Sequence, residues 1–123
     1  MTPTAKRNHG FTLVEMLIGA AIIAVLVAVA IPTFSSQLHK ARVATDWANV
    51  RSYYAQLQYE FMETGKINED YFWEWGKPGR TSFQLSGQEI TLKAGSIWIA
   101  ECPNGYNILY YCNEEHGGCQ LVL

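Results

Sequence analysis

Hydrophobic and polar positions divide the chain into stretches of different period. From Phe11 to Ile31 the only charged residue is Glu15. About 21 residues at ~1.5 Å each span roughly 31 Å, the thickness of a bilayer core, so this stretch predicts a helix able to cross a membrane. Beyond it Leu38, Ala41, Ala44, Trp47, Val50, Tyr54, Leu57 and Phe61 recur at steps of three or four, which predicts that the helix continues through Pro32 as an amphipathic stripe. Gly65 fits a C-terminal cap, giving a helix of about 50 residues that ends near Thr64.

After Gly65 the pattern turns to short β-prone runs: Ser82 to Leu85, Glu89 to Lys93, Ile97 to Cys102 and Tyr106 to Cys112. Ser86-Gly87, Ala94-Gly95 and Asn104-Gly105 separate them, and Asn104-Gly105 predicts a type I′ hairpin turn. One small antiparallel sheet packed on the second half of the helix is the simplest α+β arrangement. The roughly 58 residues from Lys66 onward are too few to build a core without that helix.

Charge sets the direction of insertion. Lys6 and Arg7, with His9, precede the apolar stretch, and no lysine or arginine follows until Lys40, which leaves the leader inside and the rest outside by the positive-inside rule. An ordinary secretory signal places a small-residue cleavage site after its apolar region; here Gly10 stands before it, so a cut there would keep the helix on the mature chain. A carboxylate such as Glu15 costs on the order of 2.5–3.5 kcal/mol at mid-bilayer and calls for a specific partner.

Gly10 to Pro32, GFTLVEMLIGAAIIAVLVAVAIP, resembles the processing and assembly segment of type IV pilins and pseudopilins. The resemblance is close there and only architectural beyond. It implies that a prepilin peptidase cuts between Gly10 and Phe11 and that the new Phe11 amine is methylated. Glu15 would then dock each subunit into a helical filament. The chemistry agrees, because an ammonium on Phe11 of one subunit and Glu15 of its neighbour neutralise each other where either alone is costly. The implied fold is a pilin-like α/β-roll. Its parts are a leader (1–10), a transmembrane and filament-core helix (11–35) and a head (36–123) made of amphipathic helix 36–64, loop 65–81 and sheet 82–123.

Pro32 removes a backbone donor and crowds the carbonyl of Ala28, so a kink or weakened turn is expected there. In pilins the helix can melt near such a proline; some carry a glycine about eight residues earlier, where this chain has Ala24. Gly19 is the nearest candidate, and close helix packing is its other reading. Between helix and sheet, Tyr71, Phe72, Trp73 and Trp75 crowd together among charges and turn formers. In pilins this loop makes surface contacts, so the four form either a surface contact patch or a loop folded back onto the sheet.

Cys102, Cys112 and Cys119 fall in the exported part, where an oxidising environment favours a disulfide. The pilin resemblance implies a bridge clamping the C-terminal segment, with Cys119 joined to Cys102 or to Cys112 and one thiol left over. Cys112, His116 and Cys119 also make a C-x3-H-x2-C spacing, but no fourth ligand is evident and the spacing is not a standard zinc pattern; no metal and no cofactor are expected.

Removing residues 1–10 takes two of the 9 basic side chains and none of the 11 acidic ones, leaving 7 against 11 and a sum of −4. The remaining cations are scattered, so DNA binding by the lone subunit is not expected. Neither a nucleophile–base constellation nor a phosphate-cradling loop is present, and the chain reads as a peptidase substrate, not an enzyme. The implied function is a pilus subunit that waits in the cytoplasmic membrane, then polymerises with itself and minor pilins at an assembly platform. Its filament would serve adhesion, twitching motility or DNA uptake at the cell surface. The alternative is a pseudopilin of a type II secretion or competence system.

Overall fold

The structure is a computed structural model and describes residues 10–113 and 119–123. Helix α1 runs Leu13–Thr64 and contributes to two compact units, Met1–Gln37 and Leu38–Leu123. Its start is a capping box: the Glu15 carboxylate accepts from the Thr12 N–H at 3.1 Å, and the Thr12 hydroxyl accepts from the Glu15 N–H at 3.2 Å. Its end is Gly65, at φ +65°, whose N–H donates to the Phe61 carbonyl at 2.8 Å.

In the first unit the helix is apolar on every side, with Leu17, Ile22, Ile31 and Phe34 all more than half exposed. Its β-branched residues are mediocre helix formers in water. In an apolar medium, however, a helix satisfies every backbone donor and acceptor within itself, and the helix becomes the favoured state.

In the second unit five helix residues turn inward: Val43, Asp46, Val50, Tyr53 and Leu57. The buried stripe is rotated by about one residue from the predicted one, since Ala41 and Ala44 are exposed while Trp47, Tyr54 and Phe61 are half-buried at its margin. The reason is Asp46, a polar residue that a search for apolar positions skips. Against the stripe pack two antiparallel sheets in place of the single one expected. The first pairs β1 (Ser82–Leu85) with β2 (Gln88–Thr91), and the second is β3 (Gly95–Cys102), β4 (Gly105–Cys112) and β5 (Leu121–Val122) in that order. β2 stops at Thr91, two residues short of the predicted end, because the amides of Lys93 and Ala94 turn to the Asp46 carboxylate.

The hairpin turns also differ from expectation. Ser86 (φ 50°) and Gly87 (φ 82°) both take positive φ between Leu85 and its partner Gln88, as a two-residue type I′ turn requires. Between β3 and β4 the turn residues are Pro103 and Asn104, since Cys102 pairs with Gly105, and positive φ falls on Gly105 (φ 121°). The ring of Pro103 fixes negative φ at the first turn position, which excludes type I′ there.

Ile97 and Ile99 of β3 and Tyr106, Ile108 and Tyr110 of β4 complete the core with Phe83, whose ring stacks on Tyr53 at 4.3 Å. Gly95 is required by close approach, because a side chain there would run into the Tyr110 ring and the Tyr111 carbonyl. The free edge of β3 is occupied by the 72–80 loop, with paired backbone bonds between Trp73 and Ile99 and between Arg80 and Ile97. Such cover removes an edge that would otherwise template aggregation.

Because helix and sheets share one core, a chain beginning at Ser36 is expected to fold cooperatively, whereas one beginning at Lys66 is expected to stay unfolded. Circular dichroism through a urea titration distinguishes them, and a cooperative transition in the shorter chain would refute the shared core. Alkali supplies a second test. Burial is the main reason the Tyr53 hydroxyl is pushed up to about 12 from its ordinary 10.0. The folded state therefore holds that proton more tightly than the unfolded state, so the contribution is whole below pH 10 and is lost as the pH climbs to 12, roughly 2–3 kcal/mol for this group. Tyr53→Phe is expected to flatten stability against pH over that interval; an unchanged slope would contradict the assignment.

Candidate functional site

The first unit carries Gly10, Phe11 and Glu15. Gly10 is exposed, Phe11 is 82% exposed and Glu15 is exposed one turn into the helix, so the scissile bond expected between Gly10 and Phe11 lies immediately before the cap. Sequence reasoning assigned Glu15 to assembly and missed its bond to Thr12, although T-x-x-E ahead of an apolar run is the signature of a capping box. A carboxylate accepts at both oxygens; Oε2 takes the Thr12 amide, and Oε1 can take an incoming ammonium. Phe11, Glu15, Met16, Gly19, Ala20 and Ile23 line a shallow apolar groove, with open space beside the Gly19 Cα. Pro32 lies within the unbroken helix, and Thr33 next to it donates its hydroxyl to the Val29 carbonyl at 3.2 Å.

In the second unit the four aromatics of the loop divide. Tyr71 and Phe72 are half-buried against Tyr106, and the Tyr71 hydroxyl donates to Glu60 at 3.1 Å. Trp73 and Trp75 are exposed. Trp75 meets Trp98 and Tyr111 at ring-centroid distances of 4.9 and 5.5 Å, while Arg80 lies over Trp73 at 6.0 Å. The outward face of the β3–β4 hairpin thus presents three grouped aromatic rings.

Asp46 was not anticipated at all. Fully buried, it accepts from the Lys93 and Ala94 amides and from the Tyr110 hydroxyl, each at 2.8 Å. One helical carboxylate thereby ties α1 to both the β2–β3 connection and β4. Burial and the Asp46 bond hold the Tyr110 phenol protonated far above its ordinary range.

The cysteines separate into one and two. Extending the β4–β5 register, in which Leu109 faces Val122 and Tyr110 faces Leu121, sets Cys112 opposite Cys119. Cys102 stands at the other end of the same hairpin, seven strand positions or roughly 24 Å from Cys112, far beyond the Cα separation a disulfide spans. The third group beside Cys112 and Cys119 is His39, from the helix. The two Sγ atoms and a ring nitrogen of His39 all lie within 4.8 Å of one another. His116, of the C-x3-H-x2-C spacing, lies outside the described residues.

Residues 5–31 match the model of the prokaryotic N-terminal methylation motif. With an uncovered apolar helix long enough to cross a membrane and a second unit of helix on antiparallel sheets, this makes the chain type IV pilin-like. It is 33% identical over 63 residues to the type IV major pilin protein PilA of Myxococcus xanthus (strain DK1622). That similarity covers 51% of this chain, and the chain spans 29% of the length of that relative. No solved structure matches it.

Proposed function

We propose that the chain is the structural subunit of a type IV pilus, inserted in the cytoplasmic membrane with its leader inside. A prepilin peptidase removes the leader at Gly10, the Phe11 amine is methylated, and the subunit polymerises with its own kind at the assembly platform. The observation that carries this reading is the first unit, a helix apolar on all sides whose only charge sits at its capped start. In lipid that surface needs no cover; on leaving lipid it requires neighbours, and copies of the same helix supply them. The Oε1 atom of Glu15 accepts the ammonium of the next subunit's Phe11, so that two charges enter the filament core as a pair and fix its register. The kink expected at Pro32 would let the packed helix adjust along the filament.

The head forms the outer layer. Trp75, Trp98 and Tyr111 are a surface suited to subunit contact or adhesion, because clustered aromatic rings give a large contact area at low entropic cost. The experiment is Gly10→Val, a branched side chain at the cleavage position. It is expected to leave a full-length chain in the membrane and none in sheared surface filaments, as judged by immunoblotting of both fractions. Normal cleavage and filament yield would contradict the assigned site.

A further inference from the structure

His39, Cys112 and Cys119 come from three different places: the buried face of α1, the end of β4 and the approach to β5. We infer that together they form a zinc site, with both thiols deprotonated and the imidazole completing a three-ligand set. The donor chemistry selects the metal class. Thiolate and imidazole suit zinc and copper, whereas calcium and magnesium require oxygen ligands.

The spacing fits a single ion. With Zn–S near 2.3 Å and Zn–N near 2.0 Å, tetrahedral angles place a sulfur and a nitrogen roughly 3.5 Å apart and two sulfurs roughly 3.8 Å apart. The Cys119 Sγ and His39 Nε2 stand 3.5 Å apart, and the three donors are mutually within 4.8 Å. A disulfide between the two cysteines would make no use of the imidazole. An ion uses all three, and its charge offsets the cost of thiolates at a position as buried as Cys119. Among the described residues no fourth donor joins these three.

The surroundings hold the donors in place. Asp46 lies seven residues beyond His39 on the same helix face, and its bond to the Tyr110 hydroxyl ties that face to β4 two residues before Cys112. Ligands mounted on elements already locked together are what a metal site requires. Bound there, the ion would clip the C-terminal strand to the helix.

The test uses the full processed chain, extracted from membranes in detergent with an alkylating agent present throughout. About one zinc per chain is expected, with Cys112 and Cys119 protected from alkylation until a chelator is added and Cys102 not protected by the metal. Replacing zinc with cobalt is expected to give the sulfur-to-cobalt charge-transfer absorption and the visible bands of a tetrahedral ion. Cys102→Ser should change none of this. Losing an outer-shell partner of a metal ligand costs about 10–100-fold in affinity, so His39→Asn, which removes a ligand itself, should lower zinc affinity by more than about 100-fold. A Cys112–Cys119 disulfide in the isolated protein would overturn the site, as would failure of the wild-type chain to take up zinc or cobalt. A cobalt spectrum unchanged in His39→Asn would equally overturn it. Should Cys119→Ser fail to fold, the His39 spectrum and the alkylation pattern still decide.

Discussion

Replacing Glu15 with glutamine is expected to abolish filament formation while leaving membrane insertion and leader removal close to normal. Glutamine keeps the cap, because its side-chain carbonyl can accept the Thr12 amide as the carboxylate does. It removes only the charge. The Phe11 ammonium of the neighbouring subunit would then be buried without a partner, at a cost on the order of 3 kcal/mol per contact, or roughly a hundredfold in the subunit-addition equilibrium. Glu15→Ala should fail equally in assembly and in addition loosen the first helical turn. The pair therefore separates capping from assembly: equal loss in both variants assigns the defect to charge, whereas normal filaments from Glu15→Gln would show that the amine needs no carboxylate. Sheared surface yield, normalised to subunit in the membrane, is the readout.

The second large effect concerns the head. Asp46→Ala strips the acceptor from two amides and one phenol hydroxyl that are held at 2.8 Å and shielded from water. Breaking a buried charged network in this way typically costs about 3–5 kcal/mol. Domain stability is typically only about 5–15 kcal/mol, so the variant head should lose a large fraction of its stability and become readily cleaved by protease. Tyr110→Phe removes a single hydrogen bond and should cost about 1–2 kcal/mol. Limited proteolysis of membrane-inserted chains, with α1 and the sheets as the protected fragment, measures both. Wild-type resistance in Asp46→Ala would mean that the three donors find other partners.

The sequence disclosed whatever depends on local pattern. The apolar stretch from Phe11, the arrest of the helix at Thr64 before Gly65, and β1 from Ser82 to Leu85 follow from periodicity and from residues whose backbone preferences are strong. What escaped was set by tertiary contact. Asp46 reads as a solvated helix residue until the Lys93 and Ala94 amides arrive beside it, and the inward stripe therefore lies about one position from the apolar periodicity. The division into two sheets depends on where β2 ends, and that depends on Asp46. Pro103 sets the β3–β4 turn one residue earlier than the Asn104-Gly105 pair alone predicts.

The candidate sites follow the same rule. Gly10, Phe11 and Glu15 lie within six residues, and the resemblance of that segment to the pilin processing motif implied their roles. His39 and Cys119 are 80 residues apart, so no spacing could have paired them. Cys112 and Cys119 were separated from Cys102 only by the β4–β5 register. The aromatic loop was legible as a cluster, but its division into half-buried Tyr71 and Phe72 and outward Trp73 and Trp75 required the backbone bonds to β3.

The central claim, that this chain becomes a filament subunit by losing its leader at Gly10, is tested most directly by mass spectrometry of the N-terminal peptide from sheared surface filaments. The predicted result is a peptide that begins at Phe11 and carries one methyl group on its amine. Filaments whose subunits retain Lys6 and Arg7, or surface fractions that lack the chain altogether, would contradict it.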